Sequence, residues 1–160
     1  MITNLKMKQL IEEAEKSEKS DKLQLITNDL INLFSPDIKQ VYDCIIVSKK
    51  NVKELEANFQ TALNMYSDKT EFEASNTDTR INAYFDNDMS EKAAILIGLT
   101  VIDIWSLKIK KIDEYSQYCF IITSCDGDVE IRFHKIRDDE TGWLDAELES
   151  YEEAVGYVVL

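Results

Sequence analysis

The chain is 160 residues long, the size of one ordinary domain, and long enough to bury roughly two-thirds of its unfolded surface without disulfides. Hydrophobic residues make up 44% and charged residues 31%, with four Gly and one Pro, which excludes collagen-like, low-complexity and largely disordered chains. With 31 Asp and Glu against 18 Lys and Arg the net charge is −13, which repels phosphate backbones and anionic lipid and argues against direct nucleic-acid or membrane-surface binding.

Leu5, Leu10 and Ile11 open a weakly amphipathic helix that fades into the charged stretch from Glu12 to Lys22. Leu23, Ile26, Leu30, Ile31 and Phe34 follow at helical spacing, and Ser35-Pro36-Asp37 ends that segment. A third helix is expected with Ile38, Val41, Tyr42, Ile45 and Ile46 on its buried face. A fourth would carry Val52, Leu55, Phe59, Ala62, Leu63 and Tyr66, with Ser48 near its start. The first 66 residues therefore read as helical. From Ser67 to Asn82 the chain turns polar, and the main loop is expected there. Asp88 with Glu91 three residues on is a capping box for a buried helix through Ala93, Ala94 and Leu96; the apolar run ending at Ile104 fits helix or strand.

Beyond Trp105 the apolar period becomes two, which predicts strands near 104–112, 117–125 and 128–136, with a further one at 143–148. Asp126-Gly127 is a favoured hairpin turn, and it sets a register with Ile122 opposite Ile131 and Phe120 opposite Phe133. Ser150 with Glu153 reads as the cap of a last helix through Ala154, Val155 and Val158. The expected fold is α+β: one domain over 1–160, its N-terminal helices packed on a three- or four-stranded antiparallel sheet, with a C-terminal helix.

The same register puts Cys119 opposite His134, a thiol beside the chain's only imidazole, on what reads as a partly solvated outer face. No glycine-rich turn or helix start lies beside Cys119 to hold an oxyanion, so a catalytic site is not expected. Asp86, Asp88 and Ser90 match the start of a calcium loop, but Glu91 stands where glycine belongs and Ile97 where a glutamate belongs. Asp126, Asp128 and Glu130 could also gather round a cation, but the hairpin turn accounts for Asp126 and Gly127 more simply. Four scattered glycines build no phosphate cradle, so neither metal nor cofactor is expected. Cys44, Cys119 and Cys125 are an odd number without a CxxC pair, the N-terminus shows no signal-peptide pattern, and the longest apolar run, Ala93 to Ile102, is too short to span a bilayer. A soluble, reduced, cytoplasmic chain is expected.

The acids are unevenly placed. Residues 1–80 hold 14 acids and 11 bases, whereas residues 81–160 hold 17 and 7. After Arg137 no Lys or Arg occurs, while Asp138, Asp139, Glu140, Asp145, Glu147, Glu149, Glu152 and Glu153 follow, with Trp143 and Tyr151 among them. Concentrated charge of one sign steers a partner of the other sign, and interleaved aromatics anchor it, so these ten residues form the expected partner-binding segment.

A small, acidic, cytosolic chain with helices ahead of an antiparallel meander, the segment Asp138 to Glu153 and the closing Leu-Glu-Ser-Tyr-Glu-Glu-Ala pattern resembles the bacterial immunity proteins of contact-dependent inhibition and related polymorphic toxin systems. The resemblance is one of type and transfers no residue role. It implies a protein that binds a basic partner, a cognate toxin nuclease above all, and covers its active-site cleft. The alternatives are a phage-type counter-defence protein that mimics nucleic acid with carboxylates and, third, an enzyme with a divergent Cys119 and His134 site. Trp143 inside the acidic patch favours the first, because a mimic needs rows of acid and no aromatic centre.

Overall fold

The computed structural model describes residues 1–16, 30–85 and 89–160. At its centre is the expected hairpin. Asp126 and Gly127 both take left-handed φ angles, 52° and 87°, as a two-residue turn with the strands' own twist requires. The turn joins the long strands that are here β5 (Tyr118–Cys125) and β6 (Asp128–Lys135), which pair with Phe120 opposite Phe133, Ile122 opposite Ile131 and Cys119 opposite His134. Both strands lie where the alternation placed them.

The sheet grows from both sides of this pair. β7 (Ala154–Val159) runs antiparallel along β5, with β1 (Ile2–Thr3) beyond it, and β4 (Thr79–Arg80) pairs with β6, giving the order β1-β7-β5-β6-β4. The expected C-terminal helix is thus strand β7. Its valines suit a pleated surface, Gly156 would weaken a helix, and β5 has an open edge to fill. Gly156 also lets α1 (Leu5–Lys16) sit close, since a Cβ there would meet Thr3 Cγ2 at 2.9 Å and Met7 Cγ at 3.2 Å. Ser150 caps nothing; its hydroxyl donates to the Glu147 carbonyl within the short turn Leu148–Ser150. The expected strand at 143–148 is irregular chain ending in that turn.

α5 (Glu91–Ile112) crosses one face of the sheet, so the strand expected at 104–112 is its last turns. Trp105 and Ile109 are buried one helical turn apart while Leu107 is 64% exposed, so residues that alternate in sequence also satisfy the helical period. Ser90 accepts from the Ala93 N–H at the helix start; Asp88, expected in that role, lies outside the described residues. The core is the layer between α5 and the sheet, with Phe120, Ile122, Ile131 and Phe133 against Ile95, Ile102 and Trp105.

Of the helix expected over 23–34, the described part is α2 (Leu30–Phe34), held by the Trp105 indole N–H on the Leu33 carbonyl at 2.8 Å. The helix expected at 38–46 is a second hairpin, β2 (Ile38–Val41) and β3 (Cys44–Val47), turning at Tyr42 with φ 54°. Its β-branched residues carry that preference, and the buried Glu73 carboxylate accepts the Ile45 N–H at 2.7 Å. α3 (Val52–Leu63) matches the expected fourth helix, capped by Asn51 instead of Ser48. The expected loop 67–82 contains α4 (Lys69–Thr77), capped by Asp68, with Phe72, Glu73, Ala74 and Thr77 buried. Its polar residues complete the far edge of β6. Glu73 accepts from Lys135 N, Thr77 Oγ1 accepts from Phe133 N and donates to its carbonyl, and Asn82 beyond β4 accepts from Val129 N. An edge strand left with open N–H groups is a template for aggregation, and here side chains fill it.

Candidate functional site

The sheet face turned away from α5 carries the row Val159, Cys119, His134 across β7, β5 and β6, and beside it the row Tyr157, Ile121, Arg132. This face was expected to be partly solvated. Instead Cys119 is 8% exposed, His134 4% and Ile121 0%, because the chain after β6 folds back over it. Ile121, an apolar residue in the middle of this face, is the mark of that cover in the sequence.

A buried ion cluster anchors the returning chain. Arg137 Nη1 lies 2.8 Å from Glu73, and its Nη2 donates to the Asp43 carbonyl at 3.1 Å. Burial is the largest single influence and opposes the Arg137 charge, but the Glu73 hydrogen bond and the charges of Glu73 and Glu140 together outweigh it and hold the guanidinium pKa above its ordinary value. Glu140 lies 3.6 Å from Arg137 and accepts both the N–H and the hydroxyl of Thr70 at 2.8 Å, in the first turn of α4, where a carboxylate complements the helix dipole. Thr70, Glu73 and Arg137 were not among the expected site residues. The signal for Glu73 was available only in part, as an acid between Phe72 and Ala74 with hydrophobic neighbours.

The ten expected site residues fall into two sets. Asp138, Asp139, Asp145, Glu147 and Glu152 are exposed, and their carboxylates have no partner among the described residues. Glu140 is the internal cap described above. The Glu149 carboxylate accepts the Leu5 N–H at 2.8 Å, the Glu153 carbonyl accepts from Asn4 Nδ2 at 2.9 Å, and the Glu152 carbonyl accepts from Lys6 Nζ. The Tyr151 hydroxyl accepts the Asp145 N–H at 2.9 Å. Trp143 is half-buried, with the Arg132 guanidinium 5.3 Å from its ring centroid. The segment is therefore fastened at both ends and in the middle, and its free carboxylates project from a fixed backbone.

Beneath the stretch 140–146 lies a cavity of about 290 Å³, lined by Cys119 and His134 together with Trp143, Leu144, Tyr157 and Glu140. No hydrogen bond joins Cys119 to His134. Burial pushes the Cys119 thiol up to about 11 and pushes the His134 imidazole below its usual value, so at neutral pH the pair is thiol and neutral ring. A nucleophilic cysteine needs the opposite shifts. Among the described residues no group of three or more His, Cys, Asp or Glu is placed to hold a metal ion, and Asp86 and Asp88 lie outside them. No helix of the described residues is long and apolar enough to cross a membrane.

A family model described as the Uncharacterized protein PM0498 family matches residues 2–159, nearly the whole chain. The chain belongs to that family. No curated protein and no solved structure matches it. The family match spans the sheet, α5 and the acidic segment alike.

Proposed function

We propose that the chain is an acidic binding protein that neutralises a basic protein partner, an immunity-type inhibitor of a toxin nuclease, by covering its active-site cleft. One observation carries this reading: Asp138, Asp139, Asp145 and Glu147 are exposed and unpaired on a fastened backbone around the half-buried Trp143. Fixed carboxylates pay little ordering entropy on binding and give fast, salt-sensitive association with a cationic groove. The protonated Cys119 thiol supports a binding protein over an enzyme. Such a protein acts in the reducing cytoplasm, where Cys44, Cys119 and Cys125 stay free thiols.

The test is to search the neighbouring reading frames for a basic nuclease domain and to assay the purified domain for inhibition by this chain; neighbouring frames without such a domain count against the proposal. The variant D138K/D139K/D145K/E147K leaves Glu140 and Glu149, which hold the fold, in place. It should lose inhibition while keeping its circular dichroism spectrum and unfolding midpoint. Full inhibition by the reversed protein, or no inhibition by the unaltered one, overturns the proposal.

A further inference from the structure

The cavity under residues 140–146 has no part in that reading. At about 290 Å³ it lies at the small end of the roughly 300–1,000 Å³ of ligand pockets, which limits an occupant to about one ring. Its floor is the row Val159, Cys119, His134, and Trp143, Leu144 and Tyr157 give it an apolar wall.

Two of the polar groups that line the cavity keep a free acceptor. His134 Nδ1 lies 3.1 Å from the Lys135 carbonyl, which can only accept, so Nδ1 carries the hydrogen and Nε2 of the neutral ring keeps a lone pair. Nε2 has no partner among the described residues, although His134 is 96% buried by its 4% exposure. Glu140 spends Oε2 on Thr70, leaving Oε1 without a hydrogen bond. Of the cations that line the cavity, Lys135 Nζ is 3.0 Å from Asp113 and Arg137 Nη1 is 2.8 Å from Glu73, while Arg137 Nε, buried and 3.7 Å from Asp43, makes no hydrogen bond. Trp143 is a wall shared with the neighbouring cleft, which Arg132 lines and the cavity does not. Arg132, 5.3 Å from the indole centroid, thus lines the cleft, and Trp143 lines the cavity as well.

We infer that this cavity binds a planar organic cation bearing N–H donors, a guanidinium, amidinium or protonated amino-heterocycle, laid against Trp143 and hydrogen-bonded to His134 Nε2 and Glu140. An unpaired lone pair, a carboxylate and an aromatic wall are what such a cation needs. Two sources share this chemistry: a free small molecule, and an arginine side chain of a bound protein. The inference does not depend on the toxin reading.

The experiment uses the full chain labelled with ¹⁵N. His134 is the only histidine, so its imidazole signals are unambiguous. The probes are benzamidine, its neutral analogue benzamide, its anionic analogue benzoate, and acetyl-Gly-Arg-Gly-amide. Benzamidine should shift the His134 Nε2 resonance and the Trp143 indole signal saturably, benzamide should bind about tenfold more weakly, and benzoate should leave both unmoved. H134F should weaken benzamidine about tenfold, and E140Q, which keeps an acceptor for Thr70, should narrow the gap between benzamidine and benzamide. If H134F does not fold, the ranking of the three probes on the unaltered protein decides. A tripeptide that binds more tightly than benzamidine assigns the source to a protein partner, and one that binds more weakly assigns it to a free molecule. Benzoate binding as well as benzamidine, or no shift of His134 with benzamidine at about 10 mM, overturns the inference.

Discussion

Glu73 is the residue whose loss should be felt most. It is fully buried, and its carboxylate accepts from Ile45 N at 2.7 Å, from Lys135 N at 2.8 Å and from Arg137 Nη1 at 2.8 Å. One side chain thus ties β3, β6 and the root of the acidic segment to α4. Glu73→Ala leaves the Arg137 side chain, 7% exposed, without its nearest counter-charge, which costs about 3–5 kcal/mol. It also orphans two backbone N–H groups at about 1 kcal/mol each or more. A loss of about 5 kcal/mol is comparable with the roughly 5–15 kcal/mol that holds a domain of this size together, so E73A should be barely folded. Glu73→Gln keeps an acceptor for one of the two N–H groups and should cost about 2–3 kcal/mol. The double variant E73M/R137M removes both charges and should recover more than half of the E73A loss. Urea unfolding followed by circular dichroism measures all three. An E73A protein within about 1 kcal/mol of the parent would refute the cluster as the anchor of the segment.

The two sheet-facing glycines should respond differently. G156A places its Cβ against Thr3 Cγ2 and Met7 between β7 and α1 and should destabilise by about 1–3 kcal/mol, whereas at Gly98 the obstacle is the movable tip of Ile122 at 3.0 Å, and the gain in helix propensity should bring G98A close to neutral; thermal unfolding of both variants checks this. His134 is neutral in the fold because burial outweighs the favourable Lys135 carbonyl and lowers its pKa, so the unfolded chain takes up the proton first. Stability conferred by the neutral ring is complete above the unfolded value near pH 6.5 and falls as the pH drops from there toward the folded value. H134Q should flatten the stability profile between about pH 7 and pH 5, and an unchanged slope would contradict the burial argument.

What was legible in the sequence is the part governed by local chemistry. Asp126-Gly127 has one favoured geometry, and with the period-two pattern on either side it sets the register that the structure shows down to Cys119 opposite His134. α3 was legible for the same reason, its apolar residues recurring on one face. The misreadings occur where two elements compete for one pattern. Trp105, Leu107 and Ile109 fit both periods, and only contact with Leu33 and Phe133 decides for helix. Residues 38–46 and 154–159 are short β-branched runs whose strand state comes from a partner strand distant in sequence or from a side chain such as Glu73. α4 reads as loop because its polar residues are buried as hydrogen-bond plugs for β6, a role that no local pattern announces.

The acidic segment was legible as charge and illegible as architecture. The gap after Arg137 is plain, but that Glu140 and Glu149 are spent on the Thr70 and Leu5 N–H groups depends on folding back over the sheet. The same fold-back turns Cys119 and His134 from an expected surface pair into the floor of a cavity.

If the outward carboxylates steer a cationic partner, the association rate with a basic nuclease domain that the chain inhibits, followed by stopped flow as a function of ionic strength, will show it. For the unaltered protein the rate should fall at least about tenfold between about 20 mM and about 500 mM salt, while D138K/D139K/D145K/E147K should associate slowly and with little salt dependence. Equal rates for the two proteins across that range would contradict the account and leave the segment a solvated surface.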